Sequence, residues 1–91
     1  MGLVKDLKKI KQVIIATDDT IKDIVESEIK RLGNNADLNH INVSQVTDMS
    51  DLFADSDFNG DISCWDVSNV KDMKDMLENC PLEKNLPKWY K

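Results

Sequence analysis

Twelve residues, Asp55 to Asp66, read DSDFNGDISCWD and carry enough oxygens at the right spacing to hold a calcium ion. A calcium loop of the EF-hand type supplies oxygens from positions 1, 3, 5, 7, 9 and 12, with glycine at 6 for the sharp turn. Counted from Asp55, these are Asp55, Asp57, Asn59, Asp61 through its carbonyl, Ser63 and Asp66, with Gly60 at position 6. A hard cation needs such a cluster because several oxygens must replace its water shell. Position 12 departs from the pattern, since Asp66 stands where the longer, bidentate glutamate is usual. The competing reading is a turn whose Asp and Asn side chains accept hydrogen bonds from their own backbone.

Other reactive side chains are sparse. His40 is the one histidine and has no partner at catalytic spacing in the sequence. Cys64 and Cys80 form neither a disulfide framework nor a zinc spacing, and read as free thiols. No nucleophile–base pair, phosphate loop or metal quartet appears, so catalysis is not expected.

Charge narrows the partners. Residues 1–32 hold seven basic and six acidic side chains; residues 33–91 hold five and eleven. An acidic body repels phosphate backbones, which excludes nucleic acid as the expected partner. The basic cluster Lys5, Lys8, Lys9 and Lys11 reads as a solvated helix face. No apolar run approaches the ~18 residues of a membrane span, and the longest, Val13 to Ala16, is too short for a signal-peptide core. As given, the chain is expected in the cytoplasm, or at the cell surface if it is a piece of a longer surface protein.

The elements that must position these residues are written in a repeat. Asn42–Trp65 overlays Asp66–Trp89 at an offset of 24 without a gap, with seven identities. These are Val43/Val67, Ser44/Ser68, Val46/Val70, Asp48/Asp72, Met49/Met73, Asp51/Asp75 and Trp65/Trp89. Leu52/Met76, Phe53/Leu77, Phe58/Leu82 and Ile62/Leu86 keep apolar character. In this register Asp55, Asp57 and Asp61 face Asn79, Pro81 and Asn85, and Gly60 faces Lys84. The apolar skeleton persists while the calcium oxygens do not, which favours a repeat corner.

Leu38, Ile41 and Val43, like Ile62, Trp65 and Val67, have the LxxLxL spacing of a leucine-rich-repeat strand. Ser44 or Ser68 is suited to cap a short helix, whose face is Val46, Met49, Leu52 and Phe53, then Val70, Met73, Met76 and Leu77. Asp48, Asp51, Asp72 and Asp75 take the wet side. Methionines at this spacing read as core. Earlier, residues 12–17 predict a strand and Thr17 a helix cap. Ile21, Ile24, Val25, Ile29 and Leu32 would line that helix's face, with Gly33 at its end. Leu3, Val4, Leu7 and Ile10 predict a short amphipathic helix before it.

The expected architecture is one α/β domain, a short leucine-rich-repeat-like solenoid with parallel strands and an N-terminal strand–helix cap. Residues 1–34 form the cap unit, 35–65 the first repeat, and 66–91 the second repeat with the C-terminal closure. Strands are predicted near 13–16, 37–43, 61–67 and 85–89, and helices near 18–32, 46–54 and 70–78. Leu38, Ile62 and Leu86 would stack as one column. A poorly closed last edge would stack into a homodimer.

The stretch FNGDISCWDVSNVKDMKDML resembles the BspA-like leucine-rich-repeat surface proteins of bacteria, whose repeats of about 25 residues read like FNGDIS-WDVSNVTDMS-MF. The likeness covers residues 35–89. It implies a parallel-strand solenoid with a binding role, and no catalytic residues. Taken with the repeat, it predicts a protein-recognition surface of outward strand residues: His40, Asn42, Cys64, Asp66, Lys88 and Tyr90. Two other readings are a calcium-binding module through Asp55, Asp57, Asn59, Asp61 and Asp66, and a small acidic inhibitor or decoy from a mobile element that binds a basic host protein.

Overall fold

A computed structural model describes residues 13–90. The amphipathic helix expected over residues 3–10 lies outside them. Strand β1 (Ile14–Ile15) is followed by helix α1 (Ile21–Leu32) and strand β2 (Ile41–Asn42). The two strands pair in parallel, with Ile14 opposite Ile41 and Ile15 opposite Asn42. A connection through a helix is what parallel neighbours need. One 3-10 helix (Pro81–Lys84) precedes the C-terminal segment.

Helix α1 begins later than its sequence suggests. Thr20, and not Thr17, stands at its start, and the two threonines bond to each other ahead of the first turn. Ile21 and Val25 are buried and Ile24 and Ile29 half-buried, but Leu32 is 45% exposed and leaves the expected face. Gly33 ends the helix at φ 96°, its N–H on the Ile29 carbonyl at 2.7 Å. That left-handed conformation costs glycine least.

Segments 46–56 and 70–80 are not helices. Each is a run of turns. The N–H groups of Leu52, Ala54 and Ser56 reach back three residues to Met49, Asp51 and Phe53. The alternate N–H groups leave the segment: Met49, Asp51, Phe53 and Asp55 donate to the carbonyls of Asp72, Lys74, Met76 and Glu78 at 2.8–3.0 Å. Asp51, Asp55, Asp75 and Asn79 sit at φ 60, 60, 57 and 56°, a conformation excluded from a right-handed helix and tolerated best by Asp, Asn and Gly. A helix of two turns is barely nucleated on its own, whereas the adjoining copy offers a carbonyl to every second N–H. The helix expectation therefore fails to a long-range ladder.

Pairing at an offset of 24 recurs elsewhere. Asp37 bridges Asp61 and Asp48 bridges Asp72, both in parallel. Trp65 donates its indole N–H to the Leu38 carbonyl at 2.9 Å, and Trp89 repeats this on Ile62 at 2.9 Å. Their rings stack at 6.4 Å and 14°, and Phe53 and Phe58 stack beside them at 4.7 Å. Leu38, Ile41, Val43, Val46, Met49 and Ile62 are fully buried among these rings. The expected column stops at Ile62, because Leu86 is 49% exposed. The strands expected near 61–67 and 85–89 do not form: the first is reduced to the single bridge at Asp61 and the second is bend and turn, after a 3-10 helix that Pro81 opens and whose Leu82 is buried.

Candidate recognition face

Strand register fixes which side chains face outward. Neighbours along a strand point to opposite faces. Ile14 pairs with buried Ile41, so Ile15 and its partner Asn42 point away from the core, and Val13 shares their side. Val13 is 65% and Ile15 59% exposed. A groove of about 440 Å³ runs from Val13 past Asn42 and Ser44 to Cys64 and Asp66, floored by Trp65.

The polar corners of this groove are held by local hydrogen bonds. Asn42 accepts the Ser44 N–H at 2.9 Å and hydroxyl at 2.7 Å. One copy later, Asp66 accepts the same pair from Ser68 at 3.0 and 2.6 Å. The Ser68 hydroxyl, with its N–H, holds the Asp66 carboxyl below the usual carboxylate range, so it is a fixed negative charge at the rim. Asn39 accepts the Cys64 N–H at 2.8 Å, which ties the second rim to the first.

Of the six residues expected on one surface, Asn42, Cys64 and Asp66 come together here. His40 lies beside the groove, but its side chain turns inward. Its Nε2 meets Glu28 Oε1 at 2.5 Å, and both side chains are 8% exposed. Arg31 closes on the same carboxylate through Nε at 3.0 Å and Nη2 at 2.9 Å. Arg31 chiefly, against the cost of burial, draws the Glu28 carboxyl down to about 2. His40 Nδ1 is buried without a partner among the described residues. Lys88 belongs to a separate cleft of about 470 Å³ between residues 59–63 and 85–88. Tyr90 leans on Trp89 at 6.3 Å, half-buried over the end of the ring stack.

The calcium loop's oxygens are turned to different tasks. Asp55 accepts from the Asn79 amide at 2.9 Å, Asp61 from Ser63 and Asp66 from Ser68. Among the described residues no three acidic, histidine or cysteine side chains gather in a metal-holding group. Gly60 has a packing role instead: a Cβ there would lie 2.0 Å from the Ala36 carbonyl oxygen and 2.7 Å from the Phe58 ring.

Two features escaped the sequence reading. The strand expected over residues 12–17 carries no assignment of sides in the sequence, although the alternation of Val13 and Ile15 with Ile14 and Ala16 marks the first pair as outward. Glu28 was passed over, although a glutamate three residues after Val25 interrupts an apolar helix face. Arg31 at the following i+3 position was the available clue.

No helix among the described residues is long and apolar enough to cross a membrane. No curated protein and no solved structure matches the chain. A family model does, over residues 19–91, from α1 through both copies to the C-terminal segment. The chain therefore belongs to the family described as "Mycoplasma protein of unknown function, DUF285".

Proposed function

We propose that the protein is a non-catalytic recognition module, a short stack of leucine-rich-repeat-like coils of the kind its sequence resembles in BspA-like surface proteins. The pairing of Asp37 with Asp61 and of Asp48 with Asp72, each at the same offset, supports the stacked-coil reading. So does the indole bond repeated from Trp65 to Trp89. The outward rung of Val13, Ile15 and Asn42 opening into the groove at Cys64 and Asp66 is the observation that carries recognition. Apolar area at the centre with a polar, charged rim is how protein interfaces are composed. The coils hold these side chains on a hydrogen-bonded frame, so little ordering entropy remains to oppose a partner.

The test compares affinity capture by the unaltered chain with capture by Ile15→Asp and Cys64→Arg variants of unchanged circular dichroism. A binder retained by the first and lost by both variants is expected. Equal retention by all three places recognition elsewhere on the molecule.

A further inference from the structure

The ladder between the two turn segments runs one way: the first copy donates and the second accepts. One period on, Met73, Asp75, Leu77 and Asn79 hold the donor positions of Met49, Asp51, Phe53 and Asp55. Their backbone N–H groups have no hydrogen-bond partner among the described residues. The row is shaped as in the first copy. Asp75 and Asn79 sit at φ 57 and 56°, as Asp51 and Asp55 sit at 60°. Met76, Glu78 and Cys80 reach back three residues to the carbonyls of Met73, Asp75 and Leu77 at 3.1–3.2 Å. Those carbonyls are thereby engaged, so the edge offers donors alone. Leu77 is buried and Met73 packs against the core, whereas Asp75, Glu78 and Asn79 are exposed.

This polarity selects the occupant. Two donor rows cannot pair with one another, and an open row of N–H groups is a template for another chain's carbonyls. The first copy shows the pattern that fits: carbonyls at four alternate residues of an adjoining segment. In a second molecule of this protein the equivalent carbonyls are those of Asp48, Ser50, Leu52 and Ala54. Helix α1 holds the place of the coil that would use them, since its residues 22–32 stand one period ahead of 46–56. Charge narrows the partner further. Asp75 first, then desolvation, Asp55 and Asp51, raise the Glu78 carboxyl, so negative charge is concentrated beside the row. A basic segment is the complement of such an edge.

We propose that residues 73–79 form a second docking site, which takes an extended basic segment of a partner protein through its alternate backbone carbonyls. The site is separate from the groove at Asn42 and Asp66 and does not rest on it. Backbone pairing supplies the affinity, and the side chains beside the row supply selection.

The probe is a terminally blocked peptide of residues 70–80, the segment that accepts the first copy's ladder, with Asp72→Asn, Asp75→Asn, Glu78→Lys and Cys80→Ser. With Lys71 and Lys74 it is wholly basic. Amide hydrogen exchange read by NMR follows each N–H of the whole protein. In the free chain Met73, Asp75, Leu77 and Asn79 should exchange faster than Met49, Asp51, Phe53 and Asp55. With the peptide at about 1 mM these four should slow about tenfold, as for a Kd of about 0.1 mM. A peptide with glutamate at the three lysine positions should slow them less, and salt should shrink the difference.

Four amides already protected in the free chain, protection that falls elsewhere, or equal protection by both peptides would overturn the proposal. Protection that rises with protein concentration in the absence of peptide would assign the edge to a second copy and overturn the stated occupant. None of these results touches capture at Ile15 and Cys64, so the two sites stand or fall separately.

Discussion

The carboxylate of Asp18 stands where the next copy uses the backbone carbonyl of Thr47. Asp18 accepts the Thr47 N–H at 2.7 Å, its hydroxyl at 2.6 Å and the Asp48 N–H at 3.2 Å. Twenty-four residues on, Lys71 and Asp72 donate their N–H groups to the Thr47 carbonyl at 2.7 and 3.4 Å. A side chain thus replaces a missing rung of backbone at the N-terminal end. Three donors converging on it draw the Asp18 carboxyl below its usual range.

Replacing that side chain should loosen the first copy. Asp18→Ala is expected to lower the urea midpoint, and Asp18→Asn, which keeps an acceptor, to lower it less. The Asp18→Ala loss should also be the more salt-independent part, because most of it is hydrogen bonding. An Asp18→Ala chain as stable as the original would show that solvent satisfies Thr47 and Asp48 equally well.

Acid should act through Glu28. Its folded carboxyl lies near 2, below the ordinary 4.5, because Arg31 and His40 favour the ionised form against the cost of burial. A depressed folded value contributes stability that is present above the unfolded value and is lost as pH falls from about 4.5 towards 2. Charged hydrogen bonds are worth about 1.5–3 kcal/mol, and the exposure of Arg31 to solvent argues for the lower end. Glu28→Gln should therefore cost about 1.5 kcal/mol at pH 7 and remove this part of the acid dependence. Denaturant titrations at pH 7, 4 and 2.5 measure both, and parallel pH profiles for the two chains would be the contrary result.

The acidic edge runs the other way. Glu78 is raised above its ordinary value, first by its hydrogen bond and charge interaction with Asp75, then by desolvation and by Asp55 and Asp51. A raised carboxyl favours folding below its unfolded value, and that contribution is lost as pH rises through the folded one. Asp75 occupies a left-handed position at φ 57°, which asparagine tolerates as well. Asp75→Asn should thus raise the thermal midpoint at pH 7, with the gain shrinking at pH 4 and in high salt. A gain that persists unchanged in molar salt would point away from charge repulsion.

The period was legible because it is carried by large apolar residues whose partners lie one copy away. Trp65 over Trp89 and Leu38 beside Ile62 follow from the offset alone. The turns over residues 46–56 were not legible, since Val46, Met49, Leu52 and Phe53 fit a helix face and a run of turns equally well. What decides between them is non-local: the carbonyls of Asp72, Lys74, Met76 and Glu78 waiting for alternate N–H groups. Asp51 and Asp55 at positive φ were the local trace of that choice. The groove was half legible. Asn42, Cys64 and Asp66 follow from strand alternation, while His40 was lost to Glu28, a partner twelve residues away that no short-range pattern reveals. Leu86 failed because the two flanking prolines interrupt the copy in which it sits.

Gly60 separates the two readings of its loop most directly. In a calcium loop glycine is wanted for its turn, and alanine there would act through metal affinity. Here the absent side chain admits the Ala36 carbonyl, which accepts the Asp61 N–H at 2.9 Å, and leaves room for the Phe58 ring. A Cβ at 2.0 Å from that oxygen cannot be relieved by a rotamer change, because the obstacle is backbone. Gly60→Ala must shift the first repeat off the turn that follows α1, and overpacking of this kind costs about 1–3 kcal/mol. Phe58 stacks on Phe53, and Phe53 packs toward Trp65 at 6.0 Å, so the displacement reaches the indole environment. The variant should unfold at lower urea with altered tryptophan emission, and by the same amount with chelator or with millimolar calcium. A Gly60→Ala chain of unchanged stability, or one whose loss appears only with calcium present, would return the loop to the metal reading.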